Sequence, residues 1–267
     1  MADFSDLNAR VLSAAAMIVV GAGAIWAGGL VFAVLAILVS GLMGWELYRM
    51  MVPEAPQGRA EAHGVAAAVL VGVFSFTWGG FFSVSGLLLG AILVALKLPR
   101  DRWVFGAYFL LICLAGHGLI MLREAGETGI GAAIILWLIV VVIASDTAGY
   151  FAGRLLGGPK FWPKVSPKKT WSGTVAGWVL AAAVGWAFMG PLGAGVGLVV
   201  ASVFLALAGQ MGDIAESAIK RRYGVKDSSD LIPGHGGVLD RFDALIAVVA
   251  LAYLMALFGL GGLIGAA

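Results

Sequence analysis

The chain has 267 residues, of which 61% are hydrophobic and only 12% charged, and its mean hydropathy is +1.00. About a quarter of the residues of a soluble domain carry charge, so an ordinary soluble domain is excluded. The net charge of +2 and the pI near 8.8 arise from basic residues gathered in loops, and no nucleic-acid partner is expected from them.

Apolar runs long enough as helices to cross ~30 Å of hydrocarbon recur along the whole chain. They predict an all-α polytopic membrane protein with nine spans: 11–27, 29–47, 64–79, 82–98, 103–121, 129–149, 173–189, 191–212 and 244–264. Eight spans is the alternative count, because the first two runs nearly touch. The leader carries Arg10 against Asp3 and Asp6, which suits an uncleaved helix better than a signal peptide.

Charge then sets orientation. With the N-terminus in the cytoplasm, the inside set is Arg10, Arg49, Arg59, Lys97, Arg100, Arg102, Arg154, Lys160, Lys164, Lys168, Lys169, Lys220, Arg221, Arg222, Lys226 and Arg241. Only Arg123 of the 17 basic residues falls outside. So lopsided a bias favours nine spans and a C-terminus on the outer side.

Residues 1–145 read as scaffold, lipid access and dimer-contact helices. Residues 146–267 read as the catalytic membrane region, with two cytoplasmic loops, 150–172 and 213–243. Among the 40 glycines, the pairs Gly86/Gly90, Gly173/Gly177 and Gly193/Gly197 mark tight helix packing, with a dimer interface as the alternative. Cys113, the single cysteine, lies in a span and packs as a small apolar group. His63 reads as a loop residue, and His117 as a structural group in the fifth span.

The stretch from Gly212 to Asp243 holds six of the 15 acidic residues and five of the 17 basic ones. Such charge beside a bilayer is costly unless it serves a polyanion or a metal ion. If the eighth span continues as helix, Asp213, Glu216, Ser217 and Lys220 share one face. Asp213 directly follows the apolar run, where interfacial solvation explains it poorly. Asp240 and Asp243 stand three apart at the start of the ninth span, where the helix dipole favours carboxylates. Together with Asp213 they can converge on a hard cation such as Mg²⁺, which is held by one or two carboxylates plus substrate phosphates. Pro233-Gly234 and Gly236-Gly237 make a compact backbone whose N–H groups suit phosphate oxygens.

In the other loop, Ser166-Pro167-Lys168-Lys169-Thr170 offers a phosphate-binding surface, although basic loops also serve topology and anionic lipids. Its glycine spacing is not that of a P-loop. Asp146, followed by Thr147, sits at the inner end of the sixth span, where a bilayer helix would prefer no acid.

The run Ser217-Ala-Ile-Lys220-Arg221, then Lys226-Asp227, Pro233-Gly-His235-Gly236-Gly237 and Asp240-Arg241-Phe-Asp243 resembles the signature of phosphatidate cytidylyltransferases (CDP-diacylglycerol synthases). The SPKKT segment at 166–170 and the Asp146-Thr147 segment are also similar to that family. Strong likeness covers 146–243, and the N-terminal half agrees by topology. Two departures stand out. Ala148 and Gly149 are in the order opposite to the family's, and Ser172 replaces a frequent Glu, so no acidic role carries over to position 172.

This resemblance implies condensation of CTP with phosphatidate to CDP-diacylglycerol and pyrophosphate, in phospholipid biosynthesis. It implies Mg²⁺ on Asp213, Asp240 and Asp243, with a second cation such as K⁺. Lys220 and Arg241 join those carboxylates in catalysis. Ser166, Lys168, Lys169, Thr170, Ser217, Arg221, Lys226, Asp227, His235, Gly236 and Gly237 become substrate-binding candidates, and Asp146 with Thr147 contacts the nucleotide or the metal. Asp227 either pairs with a neighbouring cation or ligates metal; His235 either donates to a phosphate or orders its turn. A homodimer in the bacterial inner membrane, contacting membrane lipid and with its active site facing the cytoplasm, completes the implied picture. The competing readings are a CTP-dependent lipid kinase, a cytidylyltransferase for another lipid phosphate, and a cation transporter. Transporter sites lie near the midplane between inverted repeats; here the acids cluster at one end and no repeat is evident.

Overall fold

The computed structural model describes residues 4–56, 58–77, 79–126, 129–163 and 165–263. Among these, nine α-helices run in chain order: α1 (Phe4–Ala27), α2 (Gly29–Met51), α3 (Arg59–Thr77), α4 (Gly80–Ala95), α5 (Arg102–Arg123), α6 (Ile130–Leu155), α7 (Trp171–Phe188), α8 (Gly197–Arg222) and α9 (Leu239–Met255). Between α6 and α7 lies an antiparallel hairpin of β1 (Lys160–Trp162) and β2 (Ser166–Thr170), with Lys160 opposite Thr170 and Trp162 opposite Ser166. Past α9 the chain tightens into a π-turn and a short 3₁₀ turn.

Eight of the helical stretches are long and apolar enough to cross a membrane. Large apolar side chains such as Leu12, Val19, Trp26, Phe82 and Trp186 point outward, a surface that water would not tolerate over so wide an area. The protein is thus an all-α polytopic membrane protein. The helix at the fourth predicted span, α4, has 16 residues, about 24 Å at 1.5 Å per residue. It nonetheless runs antiparallel to α3 over much of that helix. Side chains at Gly86 and Gly90 would collide with Phe74 and Leu70. One cavity of about 410 Å³ is lined by Arg59 and His63 from the start of α3, by Val94 at the end of α4 and by Lys97 just past it. The Gly86/Gly90 pair is therefore spent on packing within the chain.

The described chain falls into two compact units, Met1–Ile120 with Arg222–Phe242, and Met121–Arg221 with Asp243–Ala267. The sequence division at 145/146 follows chain order, whereas the packing returns residues 222–242 to the N-terminal helices. In the first unit Leu47, Leu87, Phe105, Phe109 and Ile112 are fully buried. His63 is not a loop residue. It lies on α3, buried, with its ring stacked 3.8 Å from Tyr48, and its Nδ1 donates to the Arg59 carbonyl at 2.6 Å. His117 is fully buried, 2.9 Å from Ser75 Oγ, and Cys113 is buried on α5.

A polar clasp closes the first unit. Asp101 has a φ of +49°, a left-handed conformation that Asp and Asn tolerate better than other non-glycine residues. It accepts from Tyr223 Oη at 2.6 Å and from Arg222 Nε and Nη2 at 3.0 and 2.5 Å. The Tyr223 hydroxyl, together with the Arg222 guanidinium, holds the Asp101 carboxyl below the usual carboxylate range. Burial and the Asp101 carboxylate push the Tyr223 phenol up to about 12. A depressed carboxylate stabilises the fold above its unfolded value and loses that contribution as pH falls through the folded one. Asp101→Asn should therefore lower the thermal unfolding temperature in detergent at pH 7 by a small amount, since the pair is solvent-screened. The gap should close as pH falls below about 4. A gap that persists unchanged at low pH would show that charge is not its source.

The second unit is centred on Ile134, Trp137, Leu138, Val141, Leu198, Leu205 and Val248. Trp137 Nε1 donates to Ser202 Oγ at 3.0 Å, which donates onward to the Leu198 carbonyl at 2.8 Å. Helices α6 and α7 meet through glycines. A Cβ at Gly173 would strike the Gly149 carbonyl, and one at Gly177 would meet Ser145 Oγ and Gln210 Nε2. The Gly173/Gly177 pair is used inside the chain, and Gly149 supplies the facing small residue.

Candidate active site

Helix α6 continues to Leu155, so Asp146 and Thr147 stand on a helix rather than beside a loop. A cavity of about 370 Å³ opens against this stretch, lined by Asp146, Tyr150 and Arg154 of α6, Lys168 and Lys169 of β2, and Gln210 of α8. Arg154 Nη1 donates to Tyr150 Oη at 2.8 Å. Lys169 reaches Asp213 Oδ2 at 2.5 Å and the Gln210 carbonyl at 3.2 Å, which ties the hairpin to α8. The Gln210 amide accepts from Trp178 Nε1 at 3.1 Å and donates to Ser145 Oγ at 3.2 Å, bridging three helices at the cavity wall.

Thr170 is buried and acts as the N-cap of α7, accepting from Gly173 N at 3.2 Å. Ser172 Oγ donates to the Gly157 carbonyl and stands 3.0 Å from Thr170 Oγ1. At position 172, where the resembled family often has Glu, this chain has a hydroxyl that closes the loop. Ser166 opens β2, half-exposed.

On α8 the predicted face is formed. Ser217 Oγ donates to Asp213 Oδ1 at 3.3 Å, and Lys220 pairs with the fully buried Glu216 at 2.6 Å. Gly212 lets α8 lie directly against α9, because a Cβ there would sit 2.5 Å from the Asp243 carbonyl and 2.8 Å from Ala247 Cβ. That close approach brings Asp213 and Asp243 within electrostatic reach of each other, and Asp146 joins them. Lys169 is paired with Asp213 and Lys220 with Glu216, so the three carboxylates keep an excess of negative charge. Such a set of hard oxygen donors suits a divalent cation, which needs only one or two protein carboxylates when phosphates supply the rest. Among the described residues, no three His, Cys, Asp or Glu side chains stand in a metal-holding cluster by themselves.

Apart from Arg221, which ends the second unit's stretch of α8, the remaining motif residues belong to the first unit. Asp240 Oδ2 accepts from Ser228 N at 2.8 Å, Gly237 N at 2.8 Å and Ser228 Oγ at 3.0 Å. The turn before it is closed by Ile232 N donating to the Gly236 carbonyl at 2.8 Å and His235 N to the Ile232 carbonyl at 2.9 Å. His235 Nδ1 lies 2.8 Å from Ser13 Oγ of α1. Gly236 has a φ of +83°, and a Cβ there would crowd Asp240 and Asp227; one at Gly237 would collide with Ser228 Oγ and Glu46 Oε1. Lys226, Asp227, Arg221 and Arg241 are exposed to solvent.

Three participants escape the sequence reading. Arg154 is counted there only for topology, and Gln210 hides in an apolar run. Glu46, fully buried, accepts from Ser229 Oγ, Val238 N and Leu239 N at 2.5, 2.9 and 2.6 Å. An acid inside an apolar span is the signal that could have found it.

Residues 8–258 match the model of a family described as the cytidylyltransferase family. The chain is 35% identical to a phosphatidate cytidylyltransferase of Brucella suis biovar 1 (strain 1330), over 94% of this chain and 93% of the relative. A phosphatidate cytidylyltransferase of Bacillus subtilis (strain 168) is 34% identical over 82% of this chain and 79% of its own length. One from Helicobacter pylori (strain ATCC 700392 / 26695) shares 48% identity over 43% of this chain.

Proposed function

Because the chain belongs to the cytidylyltransferase family, we propose that it condenses CTP with phosphatidate, giving CDP-diacylglycerol and pyrophosphate. It is a nucleotidyltransferase of phospholipid biosynthesis. A phosphate oxygen of phosphatidate attacks the α-phosphorus of CTP and forms the new P–O–P bond. The bond from the α-phosphorus to the bridging oxygen breaks, and pyrophosphate leaves with the electron pair. The attacking phosphate is already anionic near neutral pH, so little general-base help is needed. The obstacle is repulsion between polyanions and charge growing on the leaving group, which makes positioning and electrostatics the main contributions.

The observation that carries this reading is the cavity in which Lys168, Lys169 and Arg154 face Asp146, beside the Asp213–Asp243 pair. In this proposal Lys168, Lys169 and Arg154 bind phosphate oxygens, Arg154 with a two-pronged guanidinium and the lysines as movable charges. Lys220, Arg221, Lys226 and Arg241 supply further positive charge to the two substrates. Asp213 and Asp243 hold Mg²⁺, with Asp240 one turn before Asp243 as the third carboxylate of the motif. When bound, that ion neutralises phosphate charge and polarises the leaving group. A second cation such as K⁺, a homodimer, contact with membrane lipid and an active site at the cytoplasmic face of an inner membrane belong to the same proposal. The distribution of basic residues supports that face.

Purified protein in detergent, given phosphatidate, Mg²⁺ and CTP labelled at the α- or the γ-phosphate, tests the reaction. The α-label should become lipid-extractable while the γ-label stays in aqueous pyrophosphate. Lipid carrying the γ-label would instead identify a kinase, and cation flux without turnover, once the protein is reconstituted into sealed vesicles, a transporter.

A further inference from the structure

We propose that Glu46 is a positioning residue for the transfer site: from α2 it holds the entry of α9 and thereby sets the placement of Asp240. The proposal rests on the reading of function above. A helix begins best with Ser, Thr, Asp or Asn at its N-cap, whose side chain accepts a backbone N–H of the first turn. At the start of α9 that position is Val238, which has no acceptor. Glu46, 192 residues earlier, takes over the duty and accepts from both Val238 N and Leu239 N. Its negative charge lies where the helix dipole favours it. A fully buried carboxylate is costly unless its lone pairs are filled. Here Ser229 Oγ donates at 2.5 Å, and Ser228 Oγ lies 3.4 Å from Oε2.

The link to Asp240 is direct. Ser228 Oγ has one proton, and Asp240 Oδ2 is its nearer acceptor at 3.0 Å. Gly237 donates its N–H to the same Asp240 oxygen, and it has no Cβ to keep Glu46 away. Glu46 holds Ser229 and Val238 while Asp240 holds their sequence neighbours Ser228 and Gly237, so the two carboxylates grip adjacent residues of the same two stretches. A shift of one carboxylate moves the partners of the other. The apolar run around Glu46 marks the acid but not its task, because its hydrogen-bond partners lie beyond residue 227.

The test uses Glu46→Gln, which keeps the volume and replaces one acceptor oxygen with a donor. The Mg²⁺ concentration for half-maximal rate should rise, or kcat fall, by about 10–100-fold, the range seen when a partner of a metal ligand is removed. The KM for CTP should change little. Independently of activity, hydrogen–deuterium exchange should quicken in peptides covering 226–242 and stay unchanged in α6. A folded variant with native Mg²⁺ dependence, kcat and exchange overturns the proposal. If Glu46→Gln does not fold, Ser229→Ala decides: a smaller shift in the same direction supports the proposal, and none overturns it. Wild-type protein that transfers no cytidylyl label would refute the functional reading instead, and the exchange comparison would still judge Glu46.

Discussion

Asp213→Asn and Asp243→Asn are each expected to lower cytidylyl transfer by more than about 100-fold, beyond the loss brought by removing a mere partner of a metal ligand, while the protein remains folded. The two carboxylates come from different helices and feel each other's charge, with Asp146 adding to both. Lys169 at 2.5 Å offsets one of the three charges. Asn keeps the shape and removes the charge, so the cation proposed to sit there loses its hold. Relief of repulsion should leave the unfolding temperature of Asp243→Asn unchanged or slightly higher, and that of Asp213→Asn, which also loses its pair with Lys169, at most slightly lower. That combination separates an electrostatic role from a structural one, for which activity and stability would fall together. Asp240→Asn should lower activity as strongly, but with a loosened 226–242 segment, because its carboxylate also gathers three donors. Near-normal turnover in either of the first two variants would remove that residue from the site.

Gly212→Ala is expected to be nearly as damaging, although it adds one methyl group and touches no charge. Its Cβ would lie 2.5 Å from the Asp243 carbonyl, a backbone atom that cannot swing aside. Relief requires α8 and α9 to separate, and overpacking of this kind costs about 1–3 kcal/mol. The larger consequence is functional. A displacement near 1 Å between reacting groups can cost about 10²-fold in rate, and Asp213 is the next residue on α8. Gly185→Ala gives the comparison, because its Cβ would crowd the Leu198 carbonyl and Ser202, away from the carboxylates. Both variants should lose stability, but only Gly212→Ala should lose kcat per folded molecule. Equal specific activities would show that the α8–α9 contact does not set the site.

The helices were legible because so few charges interrupt the apolar runs, and even the one-residue break between α1 and α2 could be placed. Asp213 could be singled out because it ends such a run. Other features were hidden for physical reasons. The hairpin at 160–170 lacks the apolar alternation that marks a strand, and it forms where Lys169 is drawn to Asp213. The extension of α6 to Leu155 depends on Gly149 and Gly153 lying against α7, a contact that composition does not reveal. Gly236 and Gly237 were read as donors to phosphate, whereas their lack of a Cβ is also demanded by Asp240 and Glu46. Glu46 itself was passed over because its partners lie almost two hundred residues away. Pairings of that range are the ones that periodicity cannot supply.

The most direct measurement is an anomalous-scattering map from crystals of the protein grown with CTP and Mn²⁺ in place of Mg²⁺. The account predicts a peak within coordination distance of Asp213 and Asp243, shared with phosphate oxygens of the nucleotide. Ordered nucleotide with no metal peak beside those two carboxylates would contradict it.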